Sequence, residues 1–86
     1  MPTISDFYGI YIQMYFDDKH RPHFHAIYAE NQALIDIATG KIVSGSLPPR
    51  AYRLVRQWWK IHQTELKANW ERARKREKLQ RIPGLE

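Results

Sequence analysis

Apolar and polar residues alternate along the first half of the chain. Tyr8, Ile10, Ile12, Met14 and Phe16 are separated by Gly9, Tyr11, Gln13 and Tyr15, a period of two, rich in aromatic and β-branched residues, that predicts a strand. The polar run Asp17-Asp18-Lys19-His20-Arg21 ends at Pro22 and reads as a turn. Alternation resumes from His23 to Ala29, with His23, His25 and Ile27 on one face and Phe24, Ala26 and Tyr28 on the other, so a second strand is expected. Asn31-Gln32 reads as the next turn, Ala33 to Ile37 as a third strand, and Lys41 to Ser44 as a short fourth.

The period changes after Gly45-Ser46-Leu47-Pro48-Pro49. Ser46 can accept a hydrogen bond from the open N–H groups of a helix start, and prolines are tolerated there because the N–H they lack would have no partner. Val55, Trp58, His62, Leu66, Asn69 and Ala73 then recur at steps of three and four, flanked by Leu54, Ile61 and Trp70, as a buried helix stripe does. One long helix over residues 49–75, bent near His62, is predicted. Its opposite face carries Arg50, Arg53, Arg56, Lys60, Lys67, Arg74 and Lys78. Ile82-Pro83-Gly84 opposes helix formation, and residues 76–86 are expected to form a loose basic tail. The pattern defines one α+β domain over residues 1–86. Its three- to four-stranded antiparallel sheet, over about 8–44, packs against one long C-terminal helix.

Composition narrows the class. A chain of 86 residues buries only roughly 60 to 65% of the surface its unfolded form exposes, so its core is thin. There is no cysteine, which removes disulfides, thiolate metal sites and thiol nucleophiles and suits a reducing compartment; a cytoplasmic location is expected. No stretch approaches the ~18 apolar residues that span a bilayer, and the first residues lack a basic-then-apolar leader pattern. Neither export nor a membrane partner is expected.

The net charge of +5 is divided unevenly. Residues 1–49 carry three Lys and Arg against five Asp and Glu, a balance of −2, while residues 50–81 carry eleven against three, a balance of +8. Such asymmetry points to a polyanion or an acidic protein partner. The residues expected to meet it are Arg53, Arg56, Lys60, Lys67 and Arg74, with Trp59 as an exposed aromatic anchor about 100° round the helix from Trp58. Tyr8, Tyr11, Tyr15 and Tyr28 either pack across strands or stack on single-stranded bases.

The most specific local motif is Pro22-His23-Phe24-His25-Ala26. Two histidines at i and i+2 of a strand project from one face, roughly 6 to 7 Å apart. They can act as general base and general acid in RNA cleavage, because histidine as a residue type titrates near neutrality. Alternatively they ligate a divalent metal, with a third ligand from His20, Asp17, Asp18, Glu65 or His62. A structural role for both is the third reading, and no other cofactor is implied. Phosphate loops, nucleophile elbows and His-Glu-x-x-His helices do not occur in the sequence.

Several segments together resemble the bacterial domain-of-unknown-function family 4160. They are Pro2-Thr3-Ile4-Ser5, Phe7-Tyr8-Gly9-Ile10, Pro22-His23-Phe24-His25-Ala26, Leu47-Pro48, and Trp58 with His62, Glu65-Leu66 and Asn69-Trp70. The resemblance implies a short stand-alone bacterial or phage-associated protein, often encoded beside another small protein in an arrangement similar to a toxin–antitoxin pair. It implies no activity and no catalytic residues. A component of such a two-gene module is therefore expected, binding a small protein encoded nearby and RNA, and able to form a homo-oligomer. A histidine-dependent ribonuclease-like enzyme is the first alternative. A DNA-binding regulator is the second, although no helix-turn-helix spacing occurs.

Overall fold

The structure, a computed structural model, describes residues 3–15 and 21–85. The alternation of the first half produces five strands: β1 (Thr3–Phe7), β2 (Ile10–Gln13), β3 (His23–Tyr28), β4 (Asn31–Asp36) and β5 (Ile42–Gly45). They form one antiparallel sheet in the order β1-β2-β3-β4-β5, as short connections favour. The expected α+β class holds, with more strands than predicted. What reads as one strand from Tyr8 onward is the second arm of a hairpin, because the chain reverses at Tyr8-Gly9 with Phe7 opposite Ile10. The next reversal is at Ala29-Glu30 rather than Asn31-Gln32, since Tyr28 pairs with Asn31.

Opposite residues of an antiparallel pair share a face, so the register places Ile12, Ala26 and Ala33 side by side, and Phe24 beside Ile35. All five are buried and form one core with Val55, Trp58, Leu66 and Ala73. The Trp58 ring stacks on Phe7 at 5.5 Å and meets Phe24 edge-on at 5.7 Å. The predicted helix stripe is thus the face that covers the sheet.

The single predicted helix is two, α1 (Pro49–Ile61) and α2 (Gln63–Arg74), which meet where the bend was expected. The break is at His62, whose φ of −115° and ψ of 29° leave the helical region. Glu65, in the first turn of α2, accepts from His62 Nδ1 at 2.7 Å, and the buried imidazole lies 5.6 Å from the Trp58 ring. Ser46 does not cap α1: the preceding residue is Pro48, with no side-chain cap, and the Ser46 N–H donates to the Gln32 carbonyl instead.

The segment read as a loose basic tail is held against the body at several points. The chain leaves α2 through Arg76 at φ 58°, with the Arg76 N–H donating to Ala73 and the Glu77 N–H to Arg72, the pairing that ends a helix and reverses the chain. The buried Asn69 amide then holds the Gln80 backbone in both directions, at 2.8 and 3.0 Å. Ile82 is buried and donates its N–H to the Ile4 carbonyl at 2.7 Å, and Trp58 Nε1 donates to the Pro83 carbonyl at 2.9 Å. Arg81 pairs with Asp6 at 3.0 Å. Residues 80–84 therefore form a strap along the outer side of β1. No described helix is long and apolar enough to cross a membrane.

Candidate nucleic-acid interface

β3 carries His23 and His25, and the register sets His23 opposite Asp36 and His25 opposite Leu34 and Gln13. Both histidines are buried, at 4% and 7% exposure, rather than standing on a solvated strand face. The reason is the aromatic packing on either side. His23 lies 5.4 Å from the Trp70 ring of α2, His25 lies 4.1 Å from the Tyr15 ring, and the two imidazoles meet edge-on at 5.2 Å. His23 Nδ1 donates to the Arg21 carbonyl at 2.6 Å, a bond that assigns the proton to that nitrogen. The Gln32 amide donates to His25 Nδ1 at 3.2 Å. Asp36, buried beside them, accepts from the Ala38 N–H at 2.7 Å and pairs with Arg21 at 3.1 Å.

The metal reading asks for a third ligand. Among the described residues no group of three or more His, Asp or Glu side chains is placed to hold an ion. His62 and Glu65 are bonded to one another, and Asp17, Asp18 and His20 lie outside the described residues.

The basic residues divide into two sets. Arg50, Arg53, Lys60, Lys67 and Arg74 are exposed on the outer side of the two helices, where the buried stripe leaves them. Arg74 pairs with Glu71 at 3.2 Å, while Arg50, Arg53, Lys60 and Lys67 have no acidic partner among the described residues. Arg56 and Trp59 belong to the packing instead. Trp59 is 7% exposed, its Nε1 donates to the Ile37 carbonyl at 2.7 Å, and the Arg56 guanidinium lies over the Trp59 and Tyr52 rings at 5.7 and 5.9 Å. A rotation of about 100° from Trp58 still falls within a wide apolar face. Trp59 therefore faces the β4–β5 turn rather than solvent.

The tyrosines divide likewise. Tyr15 packs on His25, whereas Tyr8 and Tyr11 are more than half exposed and Tyr28 is 36% exposed. Tyr8, in the β1–β2 turn, and Tyr28, the last residue of β3, lie at the same end of the sheet, where a Cβ on Gly9 would lie 3.6 Å from the Tyr28 ring. Exposure of this pair has no sequence signal of its own, because both fit the strand alternation equally well.

These features define a small α+β protein with a cationic helical face and a buried histidine pair. The family described as a domain of unknown function, DUF4160, matches residues 9–71, well over half of the chain, and the chain belongs to that family. The matched span contains both histidines and α1 complete, whereas β1 and the strap lie outside it. No curated protein and no solved structure matches the chain.

Proposed function

We propose that this protein is the binding component of a bacterial two-gene module similar to a toxin–antitoxin pair, and that it holds RNA on the outer face of its two helices. One observation carries the reading: Arg50, Arg53, Lys60 and Lys67 share the exposed side of α1 and α2 without an acidic partner among the described residues. Phosphates are the complementary ligand, since each contact releases a condensed counterion. The small protein encoded nearby docks at the β5 edge of the sheet, which the strap does not reach.

A ribonuclease centre on His23 and His25 needs the rings to meet a phosphodiester, and their burial opposes it. The test is a salt titration of binding to a single-stranded RNA oligonucleotide. Binding should weaken with a log–log slope of about −0.7 per phosphate contacted, and the double variant Lys60→Glu with Lys67→Glu should lower both the affinity and the slope. Affinity that stays flat with salt would remove the RNA reading, and cleavage lost in His25→Gln with binding retained would restore the enzyme.

A further inference from the structure

Two hairpin turns at one end of the sheet adopt backbone conformations that their sequences do not favour. Phe7-Tyr8-Gly9-Ile10 joins β1 to β2 with positive φ at both central residues, 50° at Tyr8 and 80° at Gly9. Glycine adopts that conformation without steric cost, whereas turns of this kind favour Asn, Asp or Gly at the place Tyr8 occupies, and a bulky residue there is an outlier. Tyr28-Ala29-Glu30-Asn31 joins β3 to β4 with Ala29 at φ 52°. Strained backbone concentrates where a side chain is held for use. Tyr8 recovers little through burial, because it is 58% exposed.

Its ring borders an open groove of about 730 Å³. Tyr8 and Tyr28 line it from the hairpin ends, and Arg50, Arg53, Leu54 and Gln57 line it from the first turns of α1. No Asp or Glu lines it among the described residues. Aromatic faces beside unpaired guanidinium groups suit a base and its phosphates: the rings stack, the cations meet the backbone, and Gln57 can bond a base edge. Paired bases inside a duplex are already stacked and cannot present a face to a tyrosine. Tyrosine and arginine also favour protein interfaces, and Ile10, Pro48, Ala51 and Leu85 add apolar lining, but two arginines with no Asp or Glu among the described lining residues make the groove's charge complementary to a polyanion.

We infer that this groove is a nucleotide-binding site for single-stranded RNA, in which a splayed-out base stacks on Tyr8 and Tyr28 and the adjoining phosphates lie on Arg50 and Arg53. The inference rests on the RNA reading above and adds the site, the strandedness and the anchoring residues. Tyr8 is held at positive φ because that conformation turns its ring toward the groove instead of the sheet.

Fluorescence anisotropy with labelled twelve-nucleotide single-stranded RNA, single-stranded DNA of the same sequence and the RNA duplex tests it, for the full chain and for Tyr8→Phe, Tyr8→Asn and Tyr28→Ala. Single strands should bind more tightly than the duplex. Tyr8→Asn and Tyr28→Ala should each lose about 5- to 150-fold in single-strand affinity, as removal of a stacked ring does, while Tyr8→Phe keeps the wild-type value. Asn suits the turn, so Tyr8→Asn stays folded and its thermal midpoint should rise. If Tyr8→Asn and Tyr28→Ala bind RNA within twofold of wild type while Lys60→Glu with Lys67→Glu does not, the groove assignment falls and the helix-face reading stands. If no RNA binds at low salt, both fall. If Tyr8→Asn instead loses the neighbouring gene product and keeps RNA, the groove belongs to the protein partner and the inference is overturned.

Discussion

Gly40 shows how one residue fixes the relation between sheet and helix. It has φ 72°, and a Cβ there would lie 2.8 Å from the Trp59 ring. That ring has little room to move, since Trp59 Nε1 is bonded to the Ile37 carbonyl and Tyr52 donates its hydroxyl to the Gly40 carbonyl at 2.7 Å. Gly40→Ala combines a left-handed backbone cost of about 1–2 kcal/mol with overpacking of about 1–3 kcal/mol. We expect a loss of at least about 2 kcal/mol in urea unfolding, with an unchanged m-value. His23 is a second such residue. His23→Ala removes the bond to the Arg21 carbonyl and the packing on Trp70, and should cost about 1–3 kcal/mol, the range for a buried polar partner. A surface histidine would cost within about 0.5 kcal/mol, so the same denaturation curve separates the two placements. His23 and His25 were legible as a pair from their i, i+2 spacing. Their burial was not, because Trp70 and Tyr15 reach them from elsewhere in the chain.

Elements were legible where periodicity alone decides them. Val55, Trp58, His62, Leu66, Asn69 and Ala73 are all buried, since a 3.6-residue repeat needs no tertiary information to select one face. The bend expected near His62 is there, but its depth, a full break into two helices, escapes that logic: the stripe continues through it, and the departure is a single backbone conformation supported by Glu65 and Trp58. β1 was hidden because its reversal uses Tyr8, which carries no turn signal, and because a bulge between Thr3 and Ser5 interrupts its alternation. The strap was hidden by its composition. Ile82 is its one fully buried apolar residue among those described, with Leu79 and Leu85 partly buried against the core, yet with Asn69 it ties the segment to both β1 and α2. Ile82→Ala should therefore cost about 2–4 kcal/mol, as for a buried aliphatic truncation. Limited proteolysis should then cut within residues 75–81 faster than in the wild-type chain.

At the scale of the whole molecule the two sheet edges differ. The strap lies along β1, where Ile82 and Arg81 bond to the carbonyls of Ile4 and Thr3, and Gly84 approaches so closely that a Cβ would lie 2.6 Å from the Asp6 carbonyl oxygen. β5 pairs with β4 on one side and has no strand on the other among the described residues. It also carries Val43 at 65% exposure. An uncovered apolar edge is a template for another strand, and a domain with so thin a core gains proportionately more from added burial than a larger one does. The partner should therefore add to β5 rather than to β1. Val43→Lys places a charge on that edge while removing almost no buried surface, so stability should change by no more than about 0.5 kcal/mol. Co-purification with the neighbouring gene product, or self-association by analytical ultracentrifugation, should be lost in Val43→Lys. RNA affinity should not fall, because the cationic face and the tyrosine groove lie elsewhere on the molecule. If Val43→Lys retains its partner, the docking site is not the β5 edge and the asymmetry of the sheet serves only to limit aggregation to one side.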